Sequence, residues 1–292
     1  MIPFELAEPR SLKAALKLLD ADDPSVRAFG GGTALMQMMK AGVFQPTRLV
    51  SLRGVEARYA KVKGAADGSL HIGALATLTA LGQAKIVSTR APVIIDTLKT
   101  LSNVRVRNVA TLGGHLAHGD PHMDLPPVLI ALDAQVVTAA AAGSRTLAVA
   151  DLYTGYYETA LAKNELISEI IVPAQQGRRA AYVKLTTRAA DDWPTLGIAV
   201  SLAMDGMTVQ DARFVVSAAT EKPLRLATVE AVLRGATVTD GLLARAGDAA
   251  ATAAELVGDA RGSAAYKTEL LRVYAGRAVR KALAAPAKRS AR

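Results

Sequence analysis

The sequence predicts an α+β chain of two domains, divided near residue 176. Its 292 residues exceed what one small core organises. Up to Val172, short apolar strand-like runs mix with amphipathic helical stretches, and Pro173-Ala174-Gln175-Gln176-Gly177 is then the clearest linker. Beyond it, three strand-like runs precede a long helical remainder, the segregated order of an α+β domain.

Pro9-Arg10-Ser11 before LKAALKLLD reads as a capped amphipathic helix with Leu12, Leu16 and Leu19 on one face. Asp22-Asp23-Pro24 is a turn and Val26–Phe29 a short strand. Gly30-Gly31-Gly32-Thr33 then feeds ALMQMMKAG, a helix ending at Gly42. Strand, glycine loop and helix start together present free N–H groups to an anion, although a glycine triplet also suits a plain tight turn. The triplet matches neither GxGxxG nor GxxxxGK[ST]. Arg48–Leu52 is a second strand, so residues 1–54 form a small α/β unit.

Two short strands between Tyr59 and Ile72 flank the hairpin signal Asp67-Gly68. Residues from Ile72 to Leu78 lead into a helix, and Pro92–Leu101 is another. Gln135–Ala139 and Ser144–Val149 pair around Gly143, and Glu165–Val172 continues the same domain. In the second domain, Ala181–Thr187, Gly197–Asp205 and Asp211–Ala218 read as strands, and residues from about Leu224 to Ala285 as helical. The predicted domains are 1–176, with subdomains of about 1–54 and 55–176, and 177–287, followed by a basic tail at 288–292.

Composition narrows the chemistry. The chain has no cysteine, which excludes disulfides, iron–sulfur ligands and a thiol nucleophile on this chain. Lys and Arg exceed Asp and Glu by nine, 35 against 26, yet no aromatic-flanked basic stripe or recognition helix points to nucleic acid. A solvated basic surface or docking to an acidic protein remains. MIPFELAEPR lacks a secretory pattern, and the longest apolar run, near VLIALDAQVV, falls short of the roughly 20 residues of a membrane span. A soluble, cytoplasmic protein is the expectation.

The working centre is placed at Asn108–Asp133, NVATLGGHLAHGDPHMDLPPVLIALD. Polar groups crowd here around Gly113, Gly114 and Gly119, and bare backbone lets a ligand approach closely. Asp124 sits near the cap of a helix that starts at Pro126 and Pro127, so the run reads as a turn, a polar glycine-rich loop and a helix start. His115, His118, His122, Asp120 and Asp124 superficially resemble metal ligands, but Gly119 and Pro121 prevent one helix from aligning the imidazoles. No metal is expected, and no GxSxG elbow supports a nucleophilic serine. Trp193, the single tryptophan, lies on a turn between Asp192 and Pro194, suited to packing or to covering an aromatic cofactor.

FGGGTALMQMMKAG with QPTRLVSL, HIGALATLTAL, VRNVATLGGHLAHGDPHMDLPPVLIALDA, NELISEIIVP and YVKLTTRAADDWPTLGIAV make the chain resemble, in order and over nearly its whole length, one family. This is the FAD-binding medium subunit of the molybdenum hydroxylases, which include xanthine dehydrogenase and carbon monoxide dehydrogenase. The HGDP variant is most similar to the carbon monoxide dehydrogenase type. The resemblance implies a two-subdomain FAD-binding fold of the vanillyl-alcohol-oxidase type. A C-terminal domain of a three-stranded antiparallel sheet with a helical bundle would follow.

It also implies site roles. Phe29, Gly30, Gly31, Gly32, Thr33, Ala34 and Leu35 would wrap the FAD pyrophosphate. Thr111, Gly113, Gly114 and His115 would meet the ribityl, phosphate and flavin parts, and Leu101, Ser102, Ala110, His118 and Asp120 would also belong to the FAD site. Asp124 would reach the ribityl or pyrophosphate region, Leu166 and Ile167 the adenine end, and Lys184 the ring, with Asp192 and Trp193 covering it. Thr33 stands where His, Asn or Gln is common in relatives, and His115 where Asn or Asp is.

By the same resemblance no catalytic residue sits on this chain. A small partner would carry two 2Fe–2S clusters and a large one the molybdenum cofactor, as a dimer of heterotrimers compatible with the inner face of a membrane. Electrons would pass through FAD to a quinone, NAD or similar acceptor. A flavin subunit of a xanthine or aromatic-heterocycle dehydrogenase, a cofactor-free scaffold and a free-standing oxidase are the competing expectations.

Overall fold

The computed structural model describes residues 2–286. The tail at 288–292 lies outside them. Glu5–Ala7 (β1), Leu12–Lys17 (α1), Val26–Phe29 (β2), Thr33–Lys40 (α2) and Arg48–Ser51 (β3) form a three-stranded parallel sheet of order β1-β3-β2 with helical crossovers. Ser11 caps α1, its Oγ accepting from the Ala14 N–H at 3.1 Å. Leu12, Ala15 and Leu16 then bury one face against Val26, Val50 and Leu52. Strand β1 went unread in the sequence, because only three residues pair and both Glu5 and Leu6 are exposed.

Val62–Gly64 (β4) and Leu70–Gly73 (β5) make the hairpin signalled by Asp67-Gly68, with Gly68 at φ +91° and Asp67 Oδ1 accepting from the Ser69 N–H and hydroxyl. Five short helices follow: Leu78–Gln83 (α3), Lys85–Arg90 (α4), Pro92–Leu98 (α5), Val104–Arg107 (α6) and Leu112–Ala117 (α7). Leu125–Ala131 (α8), Gln135–Ala140 (β6), Gly143–Ala148 (β7), the small pair Tyr153–Gly155 (β8) and Glu158–Thr159 (β9), and Leu166–Val172 (β10) complete this half. The larger sheet runs β4-β5-β10-β6-β7, all antiparallel, and its Leu70, Ile72, Val136, Ile170 and Val172 face the helices in one core.

The glycine-rich segment expected as a loop is corrected here. Leu112-Gly113-Gly114-His115-Leu116-Ala117 is helical, capped by Thr111, with Leu112 and Leu116 buried one turn apart.

The C-terminal half has Arg178–Leu185 (β11), Leu196–Asp205 (β12), Thr208–Ser217 (β13) and Leu224–Arg225 (β14), in that order, antiparallel throughout. Its sheet therefore has four strands rather than three. Two residues, Leu224 and Arg225, pair with Val216 and Val215 where a helix start was expected. Ala227–Leu233 (α9), Asp240–Ala253 (α10) and Ala264–Ala284 (α11) cover one face of it. The opposite face is presented to the first half: Tyr182, Ala199 and Val215 join its core, and α8 packs on β12 and β13.

Candidate cofactor site

The first wall is the turn from β2 into α2. Gly32 occupies the N-cap with φ +71°, a left-handed conformation that glycine adopts without strain, and no side chain caps the helix. The N–H groups of Gly31, Gly32, Thr33, Ala34 and Leu35 donate to no acceptor among the described residues. Five unsatisfied donors at the positive end of an eight-residue helix invite an anion.

This turn abuts the second glycine segment. A Cβ on Gly31 would lie 2.1 Å from the Val109 carbonyl oxygen, and one on Gly30 2.6 Å from Thr111 Oγ1. Both contacts require bare backbone. Arg53, which the sequence reading missed, closes the outer side, with its Nε 3.4 Å from Gly30 O and its guanidinium 6.0 Å from the Phe29 ring. Residues far apart in sequence make that contact, so no local signal marks it.

The second wall is anchored from behind. The Leu112 and Gly113 N–H groups donate to Ala76 O and Ala74 O at 3.0 and 2.7 Å, and Leu78 N–H donates to Ala110 O at 2.9 Å. Gly113 is bare because a Cβ there would lie 2.6 Å from that of Ala74. Thr111 Oγ1 accepts from the Gly114 N–H at 3.2 Å. Ser102, at φ +53°, and Leu101 are held by Arg107, whose Nη1 donates to both of their carbonyls. The His115 Nε2 is buried without a partner. Burial, aided by His118 and Lys184, pushes the His115 imidazole down to about 4, so it is neutral at pH 7.

The third wall comes from the C-terminal half. Asp124, expected near the cap of α8, occupies its N-cap position, but its side chain accepts from none of the helix N–H groups. Instead its Oδ1 accepts from the Tyr182 hydroxyl at 2.8 Å and its Oδ2 from Lys184 Nζ at 3.0 Å. Lys184 also donates to Thr100 O at 2.8 Å, beside Leu101. Asp124 and Lys184 side chains are each 6% exposed, so the pair is a buried joint between the two halves. Burial holds the Asp124 carboxyl above the usual range despite Lys184 and Tyr182. Tyr182 escaped the sequence reading, although its place two residues before Lys184 on one strand puts both side chains on the same face.

The remaining predicted residues scatter around this centre. Asp120 is buried and accepts at Oδ1 from the His122 N–H at 2.9 Å, and His118 packs edge-on against Tyr157. Leu166 packs on the small α/β unit and Ile167 in the large core, flanking a bulge in β10. Asp192 Oδ1 accepts from the Trp193 N–H, and the Trp193 ring, 43% exposed, stacks on His122. Among the described residues no group of three or more His, Asp or Glu side chains is arranged to hold a metal ion.

The donor set fits a dinucleotide. Free N–H groups and a glycine cradle suit a diphosphate, and an imidazole with an unpartnered Nε2 and a buried lysine suit a polar ring system.

Residues 2–175 match the family described as the FAD binding domain in molybdopterin dehydrogenase, and residues 181–282 match the CO dehydrogenase flavoprotein C-terminal domain. The chain is 35% identical over 287 residues to the carbon monoxide dehydrogenase medium chain of Hydrogenophaga pseudoflava, covering 97% of each. It is 30% identical to the glyceraldehyde dehydrogenase medium chain of Sulfolobus acidocaldarius, covering 92% of this chain and 95% of that one. A solved structure of carbon monoxide dehydrogenase from Hydrogenophaga pseudoflava, lacking the Mo-pyranopterin moiety of its cofactor, superimposes with a TM-score of 0.93 at 34% identity, covering 97% of this chain and 99% of that one. With more than half of its length matched to the FAD-binding domain and the rest to the flavoprotein C-terminal domain, the chain belongs to the FAD-binding medium-chain family of the molybdopterin dehydrogenases.

Proposed function

We propose that this chain is the flavoprotein subunit of a multi-subunit molybdenum hydroxylase of the carbon monoxide dehydrogenase type, relaying electrons to an external acceptor. One observation carries the reading: the five free N–H groups from Gly31 to Leu35 lie against a second glycine segment that opens on His115. The Gly31–Leu35 N–H groups hold the diphosphate, while Thr111, Gly114 and His115 orient the ribityl chain and ring. Lys184 places positive charge beside the ring where reduction adds negative charge. FAD, when bound, supplies the two-electron redox chemistry that no side chain here provides.

The absence of cysteine fits a division of labour in which a small partner carries two 2Fe–2S clusters and a large partner the molybdenum cofactor. Relatives named for carbon monoxide and for glyceraldehyde match 97% and 92% of this chain, so its part is a step common to unlike substrates. The assembly is a cytoplasmic dimer of heterotrimers, with 1–176 as the FAD-binding part and 177–287 as the second domain. No helix of the described residues is long and apolar enough to cross a membrane.

Purification of the native complex tests this. Released FAD in one-to-one ratio with this chain, with iron and molybdenum on the other subunits, is the expected result. Recovery of FMN, or of an assembled complex that transfers electrons without flavin, would sink it.

A further inference from the structure

Outside the glycine cradle, a second cluster of polar side chains straddles the two halves of the molecule. His122 is 7% exposed, its Nδ1 2.9 Å from Asp120 Oδ1 and its Nε2 3.5 Å from Asp259 Oδ2. Asp259, from the segment between α10 and α11, is held in turn by Lys267 Nζ at 3.0 Å and by the Arg261 N–H at 2.8 Å. Lys267 is 1% exposed. Carboxylates from both halves thus face the two ring nitrogens, which fixes the plane of the imidazole.

That fixed plane carries the indole. The Trp193 ring lies 5.2 Å from the His122 ring at an interplanar angle of 12°, and the Arg261 guanidinium stands 5.2 Å from the Trp193 centroid. Trp193 itself sits on an exposed turn. The imidazole across the seam is what gives it a flat surface to rest on.

We propose that His122 is a positioning residue of the cofactor cleft, holding the Trp193 indole across the seam between the two halves. Its consequence for the cofactor rests on the reading that Trp193 borders the flavin. The two carboxylates fix the imidazole, the imidazole fixes the indole, and the indole sets that side of the cleft.

Trp193 is the only tryptophan, so the fluorescence of the full chain reports on it alone. His122→Ala is expected to raise the acrylamide quenching constant of Trp193 at least about twofold, whereas His122→Phe, which keeps a flat ring, stays close to the parent. In the assembled complex, His122→Ala is expected to weaken FAD retention about tenfold and to change the flavin absorption band, with His122→Phe restoring most of both. Unchanged quenching in a His122→Ala chain with normal melting behaviour would overturn the proposal. So would raised quenching with unaltered FAD retention, provided that Trp193→Ala does weaken FAD retention. If Trp193→Ala leaves FAD retention and spectrum unaltered, the reading of Trp193 as flavin cover fails instead, and the cofactor role of His122 falls with it.

Discussion

Gly31 shows how one missing Cβ decides the site. The atom it lacks would sit 2.1 Å from the backbone oxygen of Val109, and no rotamer change relieves a backbone clash. Gly114, by contrast, is exposed, and its nearest neighbour to an added Cβ is the Thr111 hydroxyl at 3.0 Å. Gly31→Asp adds bulk and negative charge to a cradle of N–H donors, so it is predicted to abolish FAD binding and to cost about 2–3 kcal/mol of stability by overpacking. Gly114→Ala should retain the fold and bind FAD within about tenfold of the parent. Flavin content after reconstitution, with urea midpoints for both variants, checks the pair. The glycine triplet was legible because a strand, a run of glycine and a helical pattern adjoin in the sequence. That Val109 supplies the facing wall was not, since only folding brings residues 31 and 109 together.

At the scale of elements, local signals and tertiary contacts compete. Two adjacent glycines each cost a helix about 1 kcal/mol relative to alanine, and that penalty is why Leu112–Ala117 reads as a loop. Burial of Leu112 and Leu116, the Thr111 cap and the close fit of Gly113 on Ala74 outweigh it. Most strands were legible, three-residue β4 through its Asp67-Gly68 turn, whereas β1, β8, β9 and β14 are as short or shorter and have no such hairpin signal beside them. The hairpin of β6 and β7 has a further tie of the same non-local kind. Glu165, just before β10, accepts from Arg145 Nε and Nη2 at 2.7 Å each, from Thr138 Oγ1 and from the Ala162 N–H. The Arg145 hydrogen bonds foremost bring its carboxyl down to about 2 from an ordinary 4.5. A depressed folded value means stability that is complete above 4.5 and lost as pH falls through about 2. Because Arg145 is half exposed, the full shift overstates the gain, and about 2 kcal/mol is the expected cost of Glu165→Gln at pH 7. Denaturant titrations of parent and variant should converge as pH falls below 4.5, and a gap independent of pH would refute the assignment.

For the whole molecule, the cofactor cleft is only as rigid as the seam that joins its walls. Asp124 belongs to the first half, Tyr182 and Lys184 to the second, and all three are sealed from solvent or nearly so. The seam has supporting ties at its periphery, from Arg213 to Asp133 at 3.1 Å and from the Ala218 N–H to Pro121 O at 3.0 Å. Of the charged ties, Arg213–Asp133 is far more exposed than the Asp124–Lys184 pair. Removing one member of a buried pair strands the other without a counter-charge, which costs about 3–5 kcal/mol, whereas replacing both with uncharged groups avoids that penalty. Asp124→Asn and Lys184→Met are therefore each predicted to destabilise strongly. The double variant should be more stable than either single variant, because neither charge is left stranded, so its loss falls well short of the sum. Urea unfolding of all four proteins measures the cycle. The flavin readout should not follow stability: the double variant recovers its midpoint but not FAD binding, since Lys184 also reaches Thr100 O beside Leu101 on the cofactor side. Additive losses would mean that the two charges act independently. Recovery of FAD binding together with stability would mean that Lys184 serves the seam alone, and the positive charge beside the ring would have to come from another residue.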